Sequence, residues 1–301
     1  VTLTTQEFDA LFDRVVQWDV GSERGTLRHL TPDRVVAAAR LVQSGTLVSL
    51  ELPLATDFRP DVPTPAQHRM TALAGHDHAA VQFVKDYVGT DFHNDGHTHL
   101  DALCHVSYRG KIYGGAPDTS ATKDGASVGE VTDIGAGIVG RGVLLDIPRL
   151  RGVPWLEPGD QVHPDEIAAA QSAQTVAVQK GDILLVRTGH NRRLAELGPW
   201  DTTQSKSGLD PAAAPILAEH QIAVLGCDTN SDAAPSHVDE VSFPVHVLTV
   251  NAMGLFLLDY LQLDDLSATC ERLGRWEFLC VVAPLRVPGG TGSPVNPIAV
   301  F

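Results

Sequence analysis

The sequence predicts an α/β domain layered around a mixed or parallel β-sheet, and three observations carry that expectation. Apolar, β-branched runs recur at 142–147, 183–188 and 222–228. Helix starts marked by proline or by acidic first turns fall between them, the alternation expected when helices cover the faces of a sheet. No linker, low-complexity tract or internal repeat divides the 301 residues, so residues 1–301 are expected to form one domain, with residues 1–45 a helical segment packed on it.

Taken in order, Thr5 caps a first helix in which Phe8, Leu11, Phe12 and Val15 form one apolar stripe. Thr31-Pro32-Asp33 supplies a cap, a proline at the first helical position and an acidic first turn for a helix reaching Val42, which Gly45 stops. Thr46 to Leu52 alternates and reads as a strand, and Pro60, Pro63 and Pro65 mark a surface loop. Gly142 to Ile147 reads as a strand, and His163-Pro164-Asp165-Glu166 opens a helix. Lys180 to Gly189 is a turn followed by a buried strand, Asp210-Pro211 opens a helix ending near Gln221, and Ile222 to Asp228 is another strand. Ser267 to Leu273 reads as helix and Trp276 to Ala283 as strand. The Gly- and Pro-rich tail 288–297 is expected to be an ordered loop near a site. A phosphate-gripping role for it is disfavoured, because no helix follows and no Gly-Lys-Ser/Thr is present.

Composition narrows the partners. The balance of 22 Lys plus Arg against 37 Asp plus Glu gives a formal charge of -15, which disfavours nucleic acid and anionic membranes. The N-terminal residues lack a basic region followed by an apolar one, and the nearest apolar run, around Gly254 to Leu258, is far too short to span a bilayer, so a cytoplasmic location is expected. Four cysteines without Cys-x-x-Cys spacing suggest no disulfide framework. Cys227 and Cys280 read as small core residues, and burial is the expected fate of Cys104 as well.

The chemistry concentrates in His93-Asn94-Asp95-Gly96-His97-Thr98-His99-Leu100-Asp101-Ala102-Leu103-Cys104-His105. If this stretch is extended, His93, Asp95, His97, His99 and Asp101 share one face, and a following helical turn brings His105 above Asp101. Such a row is costly to bury unless a cation offsets its carboxylates, so it points to a metal rather than to a solvated loop. The His76-Asp77-His78 pair reads as loop-exposed, and His29, His68, His163, His190 and His220 as surface or capping residues. His237, close in sequence to His246, is a candidate to approach the site. Tyr108 and Tyr113, in a glycine-rich loop, and Trp200 are candidate walls of a substrate pocket.

The run from His97 to His105 resembles the G-T-H-x-D-x-x-x-H core of the cyclase-like metal-dependent hydrolase family, which includes bacterial kynurenine formamidase and isatin hydrolase. The resemblance extends through Lys180 to Gly189, Val224 to Asp228, Pro244-Val245-His246, Pro284-Leu285-Arg286 and Gly289 to Pro297, in family order. It implies a swivelling α/β domain with a mixed β-sheet or barrel-like core flanked by helices, assembled as a homo-oligomer, a dimer or tetramer. It also implies divalent-metal-assisted hydrolysis of an amide. Carried over by position, His99 and Asp101 are metal ligands, and His105 is a second ligand or catalytic base. His246 is the later histidine near the metal, and Asp259 stands about where better-known members have glutamate. The first ligand departs from the family pattern: Asp95 stands four residues before His99 where histidine is usual, so Asp95, His97 and His93 compete for that place. Mixed His and carboxylate ligation suits Zn²⁺ or Mn²⁺, as one or two ions.

These residues suggest a metal hydrolase of a small amide, cyclic amide, imide or lactone, in which His105 or His246 relays a proton to the leaving nitrogen. A Ser-His-Asp hydrolase is disfavoured by the absence of G-x-S-x-G, and a dinucleotide enzyme by the absence of G-x-G-x-x-G. The competing readings are a lyase or cyclase that stabilises an enolate on the same metal, and a metal-bound binding protein without turnover.

Overall fold

Strands Ile183–Arg187 and Val224–Cys227 are buried at every position, as strands covered on both faces must be. In the computed structural model, which describes residues 2–18, 23–75 and 80–301, they pair in parallel near the centre of a nine-stranded sheet. From edge to edge the order is Leu47–Ser49, Ile298–Val300, Glu277–Val282, Ile138–Asp146, Ile183–Arg187, Val224–Cys227, Phe256–Asp259, His99–Asp101 and Gly292–Pro294. The four strands from Ile138–Asp146 to Phe256–Asp259 run parallel and the remaining pairings are antiparallel, which makes the sheet mixed. It curls into an open half-barrel flanked by helices, so the single α/β domain has the predicted architecture.

Local chemistry accounts for the covering elements. The first helix, Thr5–Val15, is capped by Thr4 rather than Thr5: Glu7 N donates to the Thr4 hydroxyl while the Glu7 carboxylate accepts from Thr4 N at 2.9 Å. It packs against Ala214–His220 and the wide-turned π-helix Val247–Met253. Pro32–Ala39 covers Ile138–Asp146, stopping short of Val42, and Pro164–Gln174 starts from an N-cap at His163 as its sequence predicts. Two strand expectations change. The run from Thr46 to Leu52 keeps only Leu47–Ser49 in the sheet, since Leu50 N and Leu52 N bond outside a ladder, to Pro297 O and the Thr98 hydroxyl. The proline-marked region also contains a hairpin, Gln67–Ala72 with Lys85–Gly89. Its residues are almost all exposed, so no apolar alternation advertises it.

All four cysteines are buried and unpaired with one another, and burial pushes the Cys104 thiol up to about 11. The His76-Asp77-His78 pair lies outside the described residues. Among the described residues, no helix is long and apolar enough to cross a membrane.

Candidate metal centre

Asp95-Gly96 is a turn dipeptide, and Gly96 has φ +92°, so the chain reverses before His99 instead of running extended from His93. The strand covers only His99–Asp101, between Phe256–Asp259 and Gly292–Pro294. Antiparallel register sets His99 opposite Asp259, which brings the imidazole Nε2 to 3.9 Å from Asp259 Oδ2 and 3.5 Å from Asp101 Oδ1. His99 Nδ1 lies 2.8 Å from His97 O, which orients the ring and leaves Nε2 facing the carboxylates.

The turn before the strand folds His93 back over Asp101, with Nδ1 2.9 Å from Asp101 Oδ1 and Nε2 2.9 Å from the Thr291 hydroxyl. Gly292 makes room for this arrangement: a Cβ there would meet Leu100 O at 2.3 Å and His93 Cε1 at 2.9 Å. Beyond the strand, a turn closed by His105 N donating to Ala102 O sets His105 Nε2 3.9 Å from Asp101 Oδ2. The His105 ring stacks on His93 at 3.8 Å and 6°. From the far side comes His246, at the end of Pro244–His246, with Nε2 3.4 Å from Asp101 Oδ2 and 3.3 Å from Asp259 Oδ2. Its Nδ1 lies 2.6 Å from Asp232 Oδ2, and Asp232 also accepts from Val245 N and His246 N, so one carboxylate fixes both the ring and the start of its helix.

Electrostatics single out the two central carboxylates. Asp101 and Asp259 are 0% and 1% exposed, yet both oxygens of Asp101, Asp259 Oδ1 and His93 Nδ1 are sealed from solvent, and the imidazoles that approach the Asp101 oxygens do so outside hydrogen-bond geometry. Burial would raise the Asp101 carboxyl, but the imidazoles of His105, His246, His93 and His99 hold it well below its usual range. Burial, reinforced by the nearby Asp101 charge, raises the Asp259 carboxyl despite His246. Two dry carboxylates with orphaned oxygens among four imidazoles are what a divalent cation would satisfy, so the donor set fits a metal. His93, Asp101 and His105 form one potential ligand group and His99, Asp101 and Asp259 another, each with its ligand atoms within 4.8 Å of one another. A cavity of about 640 Å³ opens onto these groups, with Lys206, Asn230, Ser236, Phe243 and Tyr260 in its walls.

A family described as "Putative cyclase" matches residues 48–233. The chain belongs to this cyclase family. A solved structure titled a novel cyclase is 28% identical, with a TM-score of 0.87 over 96% of this chain and 99% of that one. Isatin hydrolase A from Labrenzia aggregata, bound to benzyl benzoate, is 23% identical with a TM-score of 0.60 over 89% and 97% of the two chains. A predicted metal-dependent hydrolase from Bacillus stearothermophilus is 17% identical with a TM-score of 0.54 over 84% and 97%. The last two likenesses concern the fold. No curated protein matches the sequence.

In this member of the family the candidate residues divide into two sets. His93, His99, Asp101, His105, His246 and Asp259 converge. Asp95 and His97, expected among the ligands, stand outside both potential ligand groups, although Asp95 lines the same cavity. Asp95 Oδ1 is 3.1 Å from Lys206 Nζ, and Asp95 also accepts from the Thr202 and Tyr260 hydroxyls. Burial would raise its carboxyl, but Lys206 and these hydroxyls keep it below its usual range. His97 is fully buried on the other side of the Gly96 turn, its Nε2 3.2 Å from Thr64 O.

The expected pocket walls are elsewhere too. Tyr108 packs on Phe8 and Phe12 and donates to Asp9, Tyr113 is buried in the core, and the Trp200 indole donates to Ser205 O. Ser236 lines the cavity while its neighbour His237 does not, and His237 O accepts from Leu3 N. His190, read as a surface residue, is buried. The sequence reading missed Asp232, Lys206 and Tyr260, which lie far along the chain from the histidine run. Asp232 stands 14 residues before His246, a separation no local motif encodes.

Proposed function

We propose that the protein is a divalent-metal-dependent hydrolase of a small amide, cyclic amide, imide or lactone. The observation that carries this reading is Asp101, completely buried with two orphaned oxygens at the meeting point of four imidazoles. Within the proposal, His93, His99, Asp101, His105 and Asp259 hold Zn²⁺ or Mn²⁺, and Asp101 is shared if two ions bind. Bound there, the metal supplies Lewis acidity toward a carbonyl and lowers the pKa of water.

The chain's own contribution is proton handling and orientation. Burial lowers the His246 imidazole, but the facing carboxylates of Asp101, Asp232 and Asp259 outweigh it and raise its pKa well above the usual value. Nδ1 is committed to Asp232, so Nε2 is the atom that delivers a proton to the leaving nitrogen or oxygen. The His99 bond to His97 O and the His93 bond to Thr291 fix two of the four rings that face Asp101. Phe243 and the Ala233-Ala234-Pro235 segment give the cavity an apolar wall against which an acyl or ring portion packs.

The test is hydrolysis of a panel of formamides, cyclic imides and lactones by protein loaded with Zn²⁺ or Mn²⁺. Metal-dependent turnover of at least one class is expected; full metal occupancy with no turnover across the panel contradicts the reading.

A further inference from the structure

A second cavity, about 590 Å³, lies between the 52–61 segment and the helix His190–Leu197, on the other side of Tyr260 from the metal centre. Tyr260 lines both cavities, while the metal-facing imidazoles line only the first. Its walls are largely apolar, with Leu52, Leu54, Leu194 and Pro199 prominent. The charged groups on its rim are Arg59, Asp57 and Asp61, and Arg59 is already held by Asp61 through two hydrogen bonds, at 2.9 and 3.3 Å.

His190 is the unusual wall residue. It is 5% exposed, and its ring is held by aromatic contacts to Trp200 at 5.0 Å and Tyr260 at 6.2 Å. Its backbone N–H donates to Asp228, but neither ring nitrogen hydrogen-bonds any described residue. Neither nitrogen is sealed from solvent, so the ring's donor and acceptor both open into the cavity. Beside it, Asn191 holds its place by donating to Leu261 O while its own Oδ1 has no partner. Burial pushes the His190 pKa down to about 4, so near neutral pH the ring offers one N–H and one lone pair without charge.

We propose that this cavity is a second ligand site, separate from the metal centre, for a small neutral aromatic molecule carrying one hydrogen-bonding group. The apolar walls take the ring, the His190 edge takes the polar group, and the paired Arg59 offers an anion no free cation.

Phenol is a suitable probe, with one hydroxyl that both donates and accepts. Its binding to the metal-loaded protein is measured by calorimetry, in the wild type and three variants. Saturable binding is expected, weakened at least tenfold by His190→Phe, which keeps an aromatic ring against Trp200 and Tyr260 and removes both nitrogens. Leu194→Trp, which fills the cavity from its half-buried wall and leaves both His190 nitrogens in the chain, is expected to weaken it as much. His246→Gln, across Tyr260 at the metal centre, is expected to leave it unchanged. Absence of saturable binding, binding indifferent to both His190→Phe and Leu194→Trp, or binding lost in His246→Gln would each overturn the proposal.

Discussion

Two buried polar networks lie side by side in this protein, and they differ in what completes them. Around Asp95, every charge has its complement: Lys206 supplies the cation, and Thr202 and Tyr260 supply donors. Around Asp101 the approaching groups are imidazoles alone, with no Lys or Arg, and three carboxylate oxygens remain unpartnered among the described residues. A complete network specifies structure, whereas an incomplete one of the same depth specifies a ligand. Both networks arise from one run of thirteen residues, 93–105, so residue type does not separate them. Side-chain direction does: His93 turns onto Asp101, Asp95 onto Lys206, and His97, beyond the Gly96 turn, onto Thr64 O.

The contrast can be broken most severely at Asp101. Asp101→Asn should reduce metal affinity by more than the ~10–100-fold typical of losing an outer partner, with activity falling to background. Metal content by mass spectrometry checks the first part; retained metal would put Asp101 in the same class as Asp95. On the complete side, Lys206→Met should cost about 3–5 kcal/mol in denaturant unfolding because it strands a buried carboxylate. Metal stoichiometry should survive, and adding Asp95→Asn should restore much of the stability.

The pH dependence of stability sharpens the picture around Tyr260, whose ring His190 abuts. The native His190 pKa is about 4 against an ordinary 6.5, so the unfolded chain binds a proton that the native state refuses between those values. The contribution is therefore complete above about pH 6.5 and lost as pH falls toward 4, up to about 3 kcal/mol. Replacing His190 with Phe should flatten that part of the unfolding profile relative to wild type; an unchanged slope would mean that the ring is already protonated when folded. The smallest effect is expected at Asp232→Asn, which leaves every proposed ligand in place but loosens His246. It should lower kcat by about 10–100-fold with metal content unchanged.

Much of this was legible from local chemistry. The apolar strands 183–187 and 224–227, the helix starts at Pro32 and Pro164 and the mixed α/β layering follow from periodicity and capping. The nearness of His99, Asp101, His105, His246 and Asp259 was implied by the family resemblance, and the structure brings these side chains together. The period-two expectation for 93–101 failed because it crossed a glycine at positive φ, a signal present in the Asp95-Gly96 dipeptide itself. The Lys206, Tyr260 and Asp232 partners were not legible, because their roles depend on contacts across more than a hundred residues or on a helix start that only the folded chain creates.

Anomalous diffraction from crystals grown with Zn²⁺ or Mn²⁺ tests the central division most directly. The account predicts density within about 2.0–2.2 Å of Asp101 and at least two of His93, His99, His105 and Asp259, with Asp95 still on Lys206. A metal coordinated by Asp95 or His97, with Lys206 displaced, would contradict it.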